Sequence, residues 1–183
     1  VALYCLMTGA EASVVEHQQR VDQPNPEALK AAWTAVDKLK IGRSKVKTLT
    51  VVDFTKPSYL PRMDVYRAGS SRPKDRFLCA HGKNTGNVYA TDFSNRHSSK
   101  QSSLGLYRVG KVYGGSYGKS LKLHGLERGK NDQAYSRAIV LHSAWYSNEA
   151  TIRWNIAEGN GPRIGRSLGC PAVPQRDLKA VLS

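Results

Sequence analysis

Cys170 stands in Gly165-Arg166-Ser167-Leu168-Gly169-Cys170-Pro171, between a glycine and a proline and just downstream of an arginine. A cysteine attacks only as its thiolate, and that form needs a nearby cation or a base to take its proton. Gly169 leaves the backbone open on one side, where a substrate carbonyl can approach. Pro171 fixes the chain on the other side and carries no competing N–H. The N–H groups of Gly169 and Cys170, with that of Leu168 beside them, are expected to meet a developing oxyanion, where one donor lowers a barrier by roughly 3–4 kcal/mol. The chemistry of such a turn is covalent acyl transfer. A small buried thiol in a tight turn would carry the same local sequence, so a partner has to decide.

The candidate partner is His142, at the end of the apolar run Arg137-Ala138-Ile139-Val140-Leu141-His142. The run reads as a buried strand. A histidine at its end sits at the rim of a sheet, where a base can meet a loop, and a cysteine and histidine distant in sequence need to meet only in space. A structural, hydrogen-bonded histidine fits the same position.

Several further stretches follow one another in a recognisable order. They are Cys79-Ala80-His81-Gly82-Lys83-Asn84-Thr85-Gly86, Asp92-Phe93-Ser94-Asn95, Ser102-Ser103-Leu104-Gly105-Leu106-Tyr107, Leu123-His124-Gly125-Leu126-Glu127, Asn131-Asp132-Gln133-Ala134, the run from Arg137 to Tyr146, and Gly165 to Pro174. Taken together, from about Thr48 to Val173, the chain resembles murein L,D-transpeptidase catalytic domains (the YkuD type), in the branch with Ser-x-Gly-Cys-Pro at the nucleophile. The resemblance implies a mainly β, α+β fold, a sandwich or barrel with an N-terminal helix. It implies a transpeptidase acting on peptidoglycan stem peptides through a thioester on Cys170, with His142 as base and no cofactor or metal. It also implies export, to the periplasm or the cell wall. It places Arg166, Ser167, Ser143 and His81 along the substrate groove, Arg166 to hold a carboxylate or to lower the thiol pKa. Water as acceptor instead of an amine would make the enzyme an L,D-carboxypeptidase.

Two features depart from the common pattern of that family. Leu168 stands where many members have a second histidine, which leaves His142 as the nearby base. The interval from His142 to Cys170 is long, with room for an inserted loop containing Trp154. Other readings stay open. A sortase-like transpeptidase also places histidine before cysteine and needs an arginine after it, for which Arg176 is available. A wall-binding module with a decayed site is the non-enzyme alternative.

The elements that must position these residues are legible in part. With 183 residues the chain suits one domain that buries roughly 70% of its unfolded surface. Its 28 Lys+Arg against 14 Asp+Glu give a net charge of +14, which favours an anionic partner. The basic residues are spread out, and no zinc spacing, phosphate loop or RNA-recognition signature is present, so nucleic acid is not the expected partner. Residues 1–12, apolar and then Ala10-Glu11-Ala12, read as the remnant of a secretory signal, with an ordinary first strand as the alternative. Residues 13–24 read as irregular, and 25–183 as the catalytic domain. Asn25-Pro26-Glu27 is a helix start, followed by Leu29, Trp33, Val36 and Leu39 at helical spacing. Strands are expected over 48–54, 62–67, 76–81, 104–107 and 120–123. Residues 82–103 read as a long polar loop, 109–119 as glycine- and tyrosine-rich turns, and 159–165 as a flexible loop able to act as a lid. Cys79 is expected to be an inert buried thiol. The last stretch, 176–182, reads as helical.

Overall fold

The computed structural model describes residues 2–6, 23–116 and 118–182. Eight strands form one sheet: β1 (Ala2–Leu6), β2 (Thr48–Asp53), β3 (Met63–Arg67), β4 (Asp75–Phe77), β5 (Gly105–Gly115), β6 (Gly118–Gly125), β7 (Val140–Ala144) and β8 (Ala172–Pro174). Their order is β4-β3-β2-β1-β5-β6-β7-β8. The sheet does not stay open. Just past β4, Ala80 bridges to Ala172 on β8, with Ala80 N–H donating to Ala172 O at 2.8 Å, so the two ends of the sheet meet. Closure of this kind removes the unpaired edges of an open sheet. The fold is thus the expected β-rich α+β architecture.

Strand alternation divides the side chains between the inside and the outside of this curled sheet. The inner set includes Val52, Met63, Val65, Tyr107, Leu121, Leu123, Ile139, Leu141 and Val173 in one buried cluster. Leu49, Val51, Tyr66 and Leu106 face outward beneath helix α1 (Pro26–Lys38). Ala144, Ile164 and Ala172 form a third cluster, against which Ile152 of helix α2 (Glu149–Ala157) packs. Helix α1 is capped as its sequence predicts, with Asn25 Oδ1 accepting from the N–H of Glu27 at 3.0 Å and of Ala28 at 3.4 Å. Its buried face is Ala28, Ala32, Ala35 and Val36, so small side chains let it lie close on the sheet, while Trp33 is half-buried under the Arg43 guanidinium.

Ala2–Leu6 is strand β1, parallel to β2 and antiparallel to β5, and Leu3 is fully buried. Ala10-Glu11-Ala12 and most of residues 13–24, where the leader expectation also rests, lie outside the described residues. One difference from expectation is at 109–119. Instead of turns, β5 and β6 form a long hairpin, with a register shift between Val109 and Val112. The alternating Val109, Lys111, Tyr113 outweighs the glycines, because antiparallel pairing rescues residues of weak strand preference. The interval before the nucleophile holds helix α2, capped by Asn148, and the chain ends in helix α3 (Leu178–Val181).

Candidate active site

Cys170 lies just before β8, beside β7. The parallel register pairs His142 with Ala172, and His142 N–H donates to Pro171 O at 3.4 Å. Two residues earlier on both strands, the Cys170 thiol sits between Ala138 and Val140. Its Sγ accepts from Val140 N–H at 3.5 Å and faces Ala138 O at 3.9 Å. The thiol therefore takes the place that a backbone group would hold if the ladder continued. Ala138 itself has φ +56°, an unusual value for a residue with a side chain, and this turns its carbonyl toward the thiol. Burial pushes the Cys170 pKa up, while the Val140 N–H and the Arg137 guanidinium pull it down.

His142 is buried, 2% exposed, on the outward side of β7. Its Nδ1 is 2.8 Å from Ser143 O. A carbonyl only accepts, so Nδ1 carries the hydrogen, and in the neutral ring Nε2 carries the lone pair. Burial lowers the His142 pKa, and the bond to Ser143 O raises it. Ser143 meets the imidazole through its backbone carbonyl.

The nucleophile turn is clamped from two sides. Ser167 Oγ donates to Cys170 O at 2.6 Å and accepts from Gly169 N–H at 3.0 Å. Ser102 Oγ donates to Gly169 O at 3.1 Å and accepts from Gly82 N–H at 3.0 Å. Residues 81–83 pair with Ser167 like a short strand: Ser167 N–H donates to His81 O at 2.9 Å, and Lys83 N–H to Ser167 O at 2.8 Å. Gly82 has to be glycine, because a Cβ there would come within 2.5 Å of Lys100 O and 3.0 Å of Gly169 Cα.

These bonds correct part of the oxyanion expectation. The Gly169 N–H is engaged by Ser167 and does not face a substrate. Among the described residues the N–H groups of Leu168 and Cys170 have no acceptor, so both remain available as donors. The Leu168 side chain points to solvent, 59% exposed.

One of the expected substrate contacts is also corrected, and a second has a scaffold contact. His81 is fully buried, with Nδ1 accepting from Arg62 Nη2 at 2.7 Å and Nε2 donating to Gly86 O at 3.2 Å. Burial, with the Arg62 charge adding, holds its pKa down to about 3. It braces the 82–86 turn and does not line the groove. Arg166 donates to Lys83 O at 3.2 Å and Gly86 O at 3.1 Å, so its guanidinium supports the same turn. The cation beside the thiol is Arg137, which the sequence offered only as the start of a strand. Its fork donates to Ser94 O (2.7 Å), Ser103 Oγ (3.3 Å), Ser99 Oγ (3.2 Å) and Gln101 O (2.6 Å). It ties the long polar loop to the nucleophile turn. Serines clustered in a loop near a lone strand-edge arginine were the available signal.

A model of the L,D-transpeptidase catalytic domain matches residues 20–183. The chain belongs to that family. No curated protein and no solved structure gives a significant match. That family acts on peptidoglycan, and the arginine on which the sortase reading depends is engaged elsewhere. Arg176, which that reading required at the thiol, instead pairs with Glu149 on α2 at 2.6 Å. Among the described residues no helix is long and apolar enough to cross a membrane. The 159–165 loop is anchored at its far end, where Ile164 is fully buried and Gly165 N–H donates to Tyr146 O at 2.8 Å. Cys79 is fully buried, its pKa pushed up to about 11 by burial, as suits an inert core thiol.

Proposed function

We propose that the chain is a cysteine acyltransferase of the bacterial wall, an exported L,D-transpeptidase of the periplasm or cell wall, acting on stem peptides. The observation that supports this reading is the His142–Ser143 bond, because it leaves the Nε2 lone pair available as a base on a strand whose partner carries the thiol two residues earlier. For the first step Cys170 rotates about χ1 toward His142, exchanging Ala138 O for the imidazole, and Nε2 takes the Sγ proton. The thiolate attacks the carbonyl of meso-diaminopimelate at position three of a tetrapeptide stem, and the oxyanion meets Cys170 N–H. The C–N bond to D-alanine breaks, with the proton returning from His142 to the leaving amine. An amine of a second stem then attacks the thioester, gives up its proton to His142, and releases the thiol with a 3→3 crosslink. Water in place of the amine yields a tripeptide.

Arg137 and the serine-built clamp hold the turn during this sequence. Neither touches the reacting atoms in the proposal. The test is mass spectrometry of purified tetrapeptide muropeptides incubated with wild type and with Cys170→Ser. Crosslinked dimers and free D-alanine with wild type alone support the transpeptidase, and tripeptides alone support the carboxypeptidase. No product from either protein, together with unchanged binding to sacculi, would assign the chain to the wall-binding alternative.

A further inference from the structure

On the outward side of the sheet, next to the nucleophile, lies a cluster that the proposed reaction does not use. Lys122 on β6 is directly opposite Val140 on β7, and Val140 is the residue whose N–H holds the Cys170 thiol. Leu121 and Leu123 point into the core, so Ser120, Lys122 and His124 share the outward face with Val140 and His142. Two strand spacings separate β6 from the chain carrying Cys170, which puts the Lys122 and Cys170 backbones about 10 Å apart across the sheet. The Lys122 Nζ sits 5.3 Å from the ring centres of both Tyr113 and Tyr135, and donates to the Tyr135 hydroxyl at 3.5 Å. The Tyr135 ring stacks on His124 at 4.8 Å and 15°. Gly110 makes room for this pile, since a Cβ there would come within 2.9 Å of His124 Nε2.

The same short turn links the cluster to the thiol. Tyr135 O accepts from Ala138 N–H at 3.1 Å, and Ala138 O faces Cys170 Sγ. Among the described residues neither Lys122 nor the nearby Arg108 forms an ion pair. Aromatic faces hold the ammonium in place without neutralising it. An oriented ammonium without an ion-pair partner, two strands from the nucleophile, is suited to an anion.

We propose that Lys122, held between Tyr113 and Tyr135, binds a carboxylate of the donor peptide one to two residues from the scissile carbonyl. A residue spans roughly 3.3–3.6 Å, so such a carboxylate lies within reach of the ammonium when the carbonyl is at the thiol. This inference rests on Cys170 as nucleophile and replaces Arg166 as the carboxylate contact. It makes Lys122 a specificity-determining residue, selecting free-acid donors over amidated ones.

The experiment compares the free-acid tetrapeptide with donors amidated separately at the second- and third-residue carboxylates, using wild type, Lys122→Met and Lys122→Arg. Wild type should lose about tenfold in kcat/KM on one amidated donor, mainly through KM, as expected for one charge-assisted bond. Lys122→Met should treat that pair alike, and Lys122→Arg should keep the preference. Equal use of all donors by wild type, or a preference unchanged in Lys122→Met, overturns the subsite and leaves the transpeptidase standing. A second arm needs no turnover: alkylation of Cys170 by iodoacetate relative to iodoacetamide. That ratio should fall about threefold in Lys122→Met. An unchanged ratio counts against the subsite even if no stem peptide is ever turned over.

Discussion

Ser167 Oγ is bonded in both directions within the nucleophile turn, donating to Cys170 O and accepting from Gly169 N–H. Removing the hydroxyl leaves two backbone groups without partners, one of them buried. Ser167→Ala should therefore destabilise the protein by about 1–3 kcal/mol, read as a lower denaturation midpoint. The turn should also loosen, so that Cys170 alkylates faster while acyl transfer slows. An unchanged midpoint together with unchanged turnover would show that the clamp has no mechanical role.

The thiol and imidazole shifts run in opposite directions. Burial raises Cys170 above its ordinary value and lowers His142 below its own, so near neutrality both groups rest uncharged. A neutral pair works by general-base catalysis at the moment of attack, not through a standing thiolate–imidazolium pair. Iodoacetamide labelling of Cys170 in the free protein should keep rising past pH 8, with no plateau between pH 6 and 7. His142→Ala should lower the rate near neutral pH. A plateau in the neutral range would mean a preformed ion pair.

Arg137 joins four groups of the 94–103 segment to the turn before β7. Lysine keeps the charge but has no planar fork, so it can replace only part of this set. Arg137→Lys should cost roughly 2–3 kcal/mol and raise hydrogen exchange over residues 94–103. Turnover should fall more than the alkylation rate of Cys170, because the charge beside the thiol is kept while the turn loses its anchor. Equal exchange in both proteins would remove Arg137 from the positioning role.

The strands and the capped helix α1 were legible because each has a local signature: alternation or a cap. The roles of His81 and Arg166 were not. Both stand in stretches beside the nucleophile in the fold, yet their side chains bond to Gly86 O and stabilise a turn. Whether a polar side chain beside a site faces the substrate or the scaffold depends on which backbone carbonyls go unpaired nearby. That is a tertiary property with no sequence period. Ser102 and Arg137 were missed for the same reason, since their partners lie 67 and 34–43 residues away. The β5–β6 hairpin has no such local signature, because each of its glycines by itself favours a turn and only the pairing of the two strands offsets them.

His81 gives the stability of the fold a pH dependence of definite sign. Its folded pKa is about 3, lowered by burial first and by the Arg62 charge second, against an ordinary value of 6.5. A histidine with a depressed folded pKa binds more protons in the unfolded chain. Its contribution is complete above pH 6.5 and is lost as pH falls from 6.5 toward 3. His142 and His124, both lowered by burial, act in the same sense. At about 1.4 kcal/mol per pH unit for a single group, His81 alone should remove a few kcal/mol on acidification. The diagnostic window is about pH 6.5 to 5.5, above the range in which ordinary carboxylates titrate. Chemical denaturation across it should show stability falling with pH in wild type. The slope should be shallower in His81→Gln, whose amide can still accept from Arg62 but does not titrate. A slope of the same size in both proteins would locate the acid sensitivity at the other histidines.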